Sequence, residues 1–231
     1  MRTLSRRRTT TVLILSWILA GLQSLTGASP PDLLRFENEI RTFERLDRES
    51  PPEEGQVLFV GSSSIRLWKT LTQDFSFVET INRGFGGSTI AEVTYYADRI
   101  VFPYKPCLIL LYAGDNDVAG GKTAKQVLAD YQQFVSKIRS KLPGIRMGYI
   151  AIKPSPSRRH LLDEMMKANQ LIRDFSKQEP GLDYLDIATP MLQPDGTPRP
   201  ELFVDDRLHL NPDGYALWTQ VLTPYLKKYG H

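Results

Sequence analysis

The chain has 231 residues, of which 41% are hydrophobic and 24% charged, with a formal net charge of +3. That length is enough to bury the core of one medium domain, and the composition excludes a disordered or low-complexity protein. Residues 1–28 hold four arginines and no acidic residue, so without them the formal charge falls from +3 to −1. No retained basic stripe then points to a nucleic-acid partner.

The first segment, MRTLSRRRTTTVLILSWILAGLQSLTGASPP, opens with Arg2, Arg6, Arg7 and Arg8, followed by an apolar stretch from Val12 to about Leu22. It ends in the small residues Thr26-Gly27-Ala28, and together these are the three regions of a secretory signal peptide. The alternative, a retained membrane anchor, needs roughly 20 apolar residues, whereas Ser16, Gln23 and Ser24 interrupt a shorter run. The expectation is therefore that residues 1–28 are removed. Residues 29–231 would remain as a single exported domain, periplasmic or secreted, without a stable membrane span. Ser5-Arg6-Arg7 hints at a twin-arginine signal, but Thr9-Thr10-Thr11 follow where apolar residues would stand. Cys107 is the sole cysteine, which excludes an internal disulfide and reads as a small core residue.

Residues 32–48 carry Leu33, Leu34, Phe36, Ile40, Phe43 and Leu46 at the spacing of an amphipathic helix, which Pro51-Pro52 stops. An alternation follows. Strands are predicted over 57–60, 77–82, 107–113, 145–152 and 182–187. Helices are predicted from near Ser64, over 89–101, about 122–141 and 158–178, and after Asn211-Pro212, where Asn caps and Pro opens the first turn. Short apolar strands alternating with helices indicate a parallel sheet covered on both faces. In such folds ligands bind beyond the carboxyl ends of the strands, which directs attention to GSSS, RGFGGST, GDND, KPSPSR and DDRLHLN.

Each turn has a plain reading as well as a chemical one. The serines of VLFVGSSS stand where helix caps are common, but also where backbone N–H groups and the helix dipole favour negative charge. The glycines of NRGFGGST lack the signature of a phosphate loop. They suit a tight turn, or a backbone N–H that a substrate oxygen must approach closely. GDNDVAGG departs from a calcium loop at Ala119, leaving an Asx turn or an Asn116 side chain that donates to an oxyanion. Of the three histidines, His231 is terminal and His160 follows two arginines at a helix start. His209 has Asp206 three residues before it, on the same side of a turn. That is the orienting pair of an acid–base triad, set against a loop histidine bonded to backbone.

Ser, Gly, Asn and Asp-x-x-His, in that order and each after a strand, go beyond any single motif. The chain resembles the SGNH (GDSL-type) hydrolase family through Gly61-Ser62-Ser63, Asn82…Gly84…Gly87, Gly114-x-Asn116-Asp117 and Asp206-x-x-His209. These blocks run from 57 to about 215. The resemblance implies a flavodoxin-like three-layer α/β/α sandwich with a five-stranded parallel sheet. It also implies ester hydrolysis with Ser63 as nucleophile, His209 as base and Asp206 as its orienter. The oxyanion donors would be the Ser63 and Gly87 backbone N–H groups and the Asn116 side chain, with Gly86 one residue away as the alternative to Gly87. No metal or cofactor is called for. Ser62 stands where the family usually has Asp, so the choice among adjacent serines depends on the alignment. An α/β-hydrolase would need G-x-S-x-G, and residue 65 is Ile. The expected substrate is a small-molecule or carbohydrate ester, with short acyl groups favoured. A lysophospholipase or thioesterase is the alternative, and a silent glycan- or lipid-binding module the alternative of another class. Lys153 and Arg158 are expected to line the entrance and to meet an anionic or sugar substrate, or else to lie on a solvated loop.

Overall fold

The computed structural model describes residues 33–230, so the expected signal peptide lies outside the described residues. Five parallel strands, β1 (Val57–Gly61), β2 (Thr80–Gly84), β3 (Leu108–Tyr112), β4 (Arg146–Ile150) and β5 (Leu182–Leu185), form one sheet in the order β2-β1-β3-β4-β5. The main helices are α1 (Glu37–Glu49), α2 (Ser63–Arg66), α3 (Leu71–Asp74), α4 (Ile90–Ile100), α5 (Asp115–Ala119), α6 (Ala124–Lys141), α7 (Leu162–Gln178) and α8 (Pro212–Tyr229).

Side chains alternate between the two faces of the strands. Leu58, Val60, Ile109, Leu111, Met147 and Tyr149 join one core with residues of α1, α4, α6 and α7. Val57, Phe59, Leu108, Leu110, Tyr112 and Ile150 join another with residues of α2, α3 and α8. All five residues of β1 and of β3 are buried, as central strands of a doubly covered sheet must be. The second core is rich in aromatics: Trp68 packs edge-on against Phe59, Phe75 and Trp218, with centroids 5.4–5.9 Å apart. Burying one such side chain is worth roughly 1.5–3 kcal/mol.

Several boundaries depart from the sequence expectation for local reasons. The second strand begins at Thr80 rather than at residue 77, because Val78 N–H closes a turn on the Phe75 carbonyl and Phe77 is exposed. The helix predicted from residue 32 begins at Glu37, after a turn over 33–36. Residues 156–161 form a 3₁₀ segment before α7 instead of its first turn. The Asp-rich loop after β3 is a short helix, α5. Asn211 does cap α8, its side chain accepting from Gly214 N–H at 3.0 Å.

The chain crosses from β1 to β2 on one side of the sheet and returns to β3 on the other. A crevice at the carboxyl ends of β1 and β3 is the place such a switch creates. There Gly61 pairs with Tyr112, and the chain leaves β1 at a φ of +135°.

Candidate active site

Four segments meet at that crevice. Ser63 is the first residue of α2, where backbone N–H groups lack helical partners. Its two neighbours are sealed off: Ser62 is 0% and Ser64 1% exposed, against 9% for Ser63. The Ser63 Oγ lies 3.1 Å from His209 Nε2, although 146 residues separate them.

His209 arrives on the loop before α8, and the loop is tied at several points. Val204 N–H donates to the His209 carbonyl at 2.9 Å, and Asn211 Nδ2 donates to the Glu201 carbonyl at 2.7 Å. From the first turns of α8, Tyr215 Oη donates to the Ser64 carbonyl at 3.0 Å, drawing α8 against α2. Histidine loop and serine turn are thus held by the same helix.

Asp206 completes the chain. Its Oδ2 lies 2.5 Å from His209 Nδ1, while Oδ1 accepts from the Leu208 and His209 N–H groups at 2.8 and 2.9 Å. Partial burial pushes this carboxyl up, but the bonds from the His209 N–H, the imidazole and the Leu208 N–H outweigh it and hold it down at about 2. A carboxylate only accepts, so Nδ1 carries the imidazole proton and Nε2 is left as the acceptor facing Ser63.

A carboxyl lowered by folding stabilises fully above its unfolded value of about 4, and that contribution is lost as pH falls through its folded value. Asp206→Asn is therefore expected to melt below the wild type at pH 7, with the gap closing towards pH 2. Thermal melts against pH check this, and an equal gap at both pH values would contradict it.

The glycine loop follows β2. Asn82 Nδ2 donates to the Ile65 carbonyl at 2.7 Å, and its Oδ1 accepts from Gly84 N–H at 2.9 Å, pinning the end of β2 to α2. Gly87 has φ +79°, and a Cβ there would meet nothing within 4 Å, so the loop is open on that side. At Gly86 a Cβ would fall 2.7 Å from Arg66 Nε. The Gly87 carbonyl accepts from Arg35 Nη2 at 3.0 Å, and Arg35 is paired with the buried Glu92 of α4.

Asn116, on α5, faces this loop and donates from Nδ2 to the Ser88 carbonyl at 3.1 Å. Its neighbour Asp117 is 0% exposed and accepts from Ile90 N–H at the start of α4, at 3.2–3.3 Å, and from Lys122 at 2.9 Å. Burial raises the Asp117 carboxyl despite the Lys122 charge.

The expectation that Lys153 lines an entrance is corrected. The residue is 1% exposed, and its Nζ donates to Tyr112 Oη at 3.0 Å and to Asp115 Oδ2 at 3.1 Å. A buried ammonium persists only when paired, and Asp115 supplies the pair. Arg158 also turns inward, with Nη1 3.1 Å from the same Asp115 oxygen. Asp115 had no assigned role in the sequence reading. The signal available was a second acid beside Asn116, together with a Lys-Pro directly after an apolar strand. Among the described residues, no group of three or more His, Cys, Asp or Glu side chains is placed to hold a metal ion.

The fold, a five-stranded parallel sheet covered by helices on both faces, is an α/β sandwich of the kind that hydrolases of the GDSL type share. A family model, the GDSL-like lipase/acylhydrolase family, matches residues 60–217, and the chain belongs to that family as an ester-hydrolysing hydrolase. Similar solved structures include a Streptococcus pneumonia protein assigned as a platelet activating factor, at 18% identity and a TM-score of 0.74 over 84% of this chain and 94% of that one. A GDSL-like lipase from Bacteroides thetaiotaomicron is 20% identical, with a TM-score of 0.66 over 85% and 98%. A carbohydrate esterase family 3 protein from Talaromyces cellulolyticus is 17% identical, with a TM-score of 0.61 over 75% and 97%. At these identities the likeness speaks for the fold. Among curated proteins, no sequence matches this chain significantly.

Proposed function

We propose that the protein is an exported serine esterase that hydrolyses short-chain carboxylic esters, acetyl esters of carbohydrates among them, through an acyl-enzyme. The observation that carries the reading is the continuous path from Ser63 Oγ to His209 Nε2 and from Nδ1 to Asp206, at 3.1 and 2.5 Å. In the proposed cycle His209 Nε2 takes the Ser63 proton as Oγ bonds to the ester carbonyl carbon. The carbonyl oxygen becomes an oxyanion that the Ser63 and Gly87 N–H groups and Asn116 Nδ2 stabilise. Collapse breaks the bond to the alcohol oxygen, which receives the proton from His209. Water then gives its proton to Nε2, attacks the acyl carbon, and releases the acid and a reprotonated Ser63. Asp206 holds the imidazole and stays ionised throughout.

The preference for a short acyl group and a sugar alcohol is supported by the absence of any long apolar segment in the sequence of residues 29–231, and by the kinship in fold with a carbohydrate esterase. Export is supported by the basic, apolar and small-residue regions of residues 1–28. A series of p-nitrophenyl esters from acetate to dodecanoate, run beside acetylated sugars, tests the substrate class. The expected kcat/KM is highest at acetate and falls at least about tenfold by octanoate, roughly the worth of one or two misfitted methylenes. A maximum at long chains would move the reading to a lysophospholipase or thioesterase.

A further inference from the structure

The buried charges beneath Asn116 have no part in the cycle just described, yet they touch one of its members. Asn116 Oδ1 accepts from Arg158 Nη2 at 2.9 Å, while Asn116 Nδ2 donates to the Ser88 carbonyl at 3.1 Å. Arginine only donates and a backbone carbonyl only accepts. Together the two contacts allow a single orientation of the amide, Oδ1 towards Arg158 and Nδ2 towards the glycine loop. The amide nitrogen has two hydrogens, and Ser88 takes one. The other is left for an oxyanion.

The guanidinium is itself braced. Asp115 Oδ2 lies 3.1 Å from both Arg158 Nη1 and Lys153 Nζ, and Asp115 Oδ1 accepts from Asn116 N–H at 3.0 Å. Asp115 and Lys153 are 2% and 1% exposed. One carboxylate therefore organises the backbone of Asn116 and, through Arg158, its side chain. Two cations against one anion leave a net positive charge under the amide, with Asp115 and Lys153 closed off from water and Arg158 partly so. A flipped amide would turn Oδ1 towards the developing negative charge and lose the Arg158 bond as well.

We propose that Arg158 is a positioning residue which, through its bond to Asn116 Oδ1, holds the amide with Nδ2 turned to the oxyanion. The proposal rests on the reading of Asn116 as an oxyanion donor. Arg158→Met keeps an unbranched stem about as long as the arginine chain up to Nε, removes the guanidinium, and leaves Asp115 paired with Lys153, so no buried charge is orphaned. The test is a double-mutant cycle of wild type, Asn116→Ala, Arg158→Met and the double variant, with kcat and KM on p-nitrophenyl acetate.

Asn116→Ala should lower kcat roughly 10²–10³-fold, as loss of one oxyanion donor does. Arg158→Met should lower kcat about 10- to 100-fold through misplacement of that donor, with KM within about twofold. In the Asn116→Ala background the same change should cost no more than about threefold, because Arg158 then has no amide to hold. Arg158→Lys, which keeps a cation without the planar fork, should fall between wild type and Arg158→Met. If Arg158→Met gives no folded protein by circular dichroism, Arg158→Lys carries the same cycle.

Equal costs of the Arg158 change in both backgrounds, a rise in KM with kcat unchanged, or wild-type kcat would each overturn the proposal. Near-wild-type kcat for Asn116→Ala, with Ser63→Ala silent, would instead overturn the reading of Asn116.

Discussion

Replacing Ser63 with alanine is expected to lower kcat by about 10⁴- to 10⁶-fold, the range seen when the nucleophile of a serine triad is removed. The backbone donors and His209 would remain, so the residual rate would be that of a site that binds and polarises the ester without attacking it. Ser62→Ala and Ser64→Ala make the comparison specific. Both side chains are sealed in the core, and Ser62 Oγ has no hydrogen-bond partner. Deleting a buried hydroxyl that makes no bond removes no attractive interaction, so Ser62→Ala should keep kcat/KM within about tenfold, about 1.4 kcal/mol, and Ser64→Ala, which leaves the Ser63–His209 bond in place, should keep turnover. Initial rates on p-nitrophenyl acetate decide the matter. A Ser63→Ala enzyme at wild-type rate, or a silent Ser62→Ala enzyme that is folded, would contradict the assignment.

The largest effect on stability is expected at Gly61. A Cβ there would lie 1.8 Å from the Tyr112 carbonyl oxygen and 2.6 Å from its carbon, at a φ of +135°. The obstructing atoms are backbone of β3, a fully buried strand whose Tyr112 carbonyl also accepts from Ser62 N–H at 2.9 Å. No flexible side chain is there to move aside. Alanine must push β1 and β3 apart at the point where the serine turn begins. Gly61→Ala should therefore cost more than about 4–5 kcal/mol, the range of exceptional point mutations, out of a typical total of about 5–15 kcal/mol. Gly87→Ala is the control, since a Cβ there meets no atom within 4 Å and only the left-handed φ of +79° opposes it. Its cost should be about 1–2 kcal/mol. Urea denaturation measures both. A Gly61→Ala midpoint close to the Gly87→Ala midpoint would show that the strands yield at Gly61.

The sheet was legible in the sequence because its central strands are short apolar runs, and because turns rich in Gly, Ser and Asn separate them from the helices. The same order placed Ser63 and Asn116 just after strands, at the end of the sheet where the site lies, and His209 on the loop that leads into the last helix. Strand ends were less legible. Val78 is apolar like Ile81 of β2, and the Phe75–Val78 turn beside an exposed Phe77 excludes it.

The polar residues behind the site were the least legible. KPSPSR looks like a solvated loop, since Lys and Arg are mostly exposed and proline marks irregular chain. What buries Lys153 is Asp115, 38 residues earlier, and nothing local to either residue announces the other. Ser62, Ser63 and Ser64 could be ordered only by alignment from sequence. In the fold they differ by exposure and by which one His209 reaches.

A fluorophosphonate probe reacts when a serine oxygen displaces fluoride at phosphorus, leaving a covalent phosphonyl ester on that oxygen. After treatment and digestion, peptide mass spectrometry should find one adduct, on Ser63, formed in step with loss of esterase activity. The adduct should be missing from Ser63→Ala and much slower to form on a folded His209→Ala. An adduct on Ser62 or Ser64, or loss of activity with Ser63 unlabelled, would contradict the account.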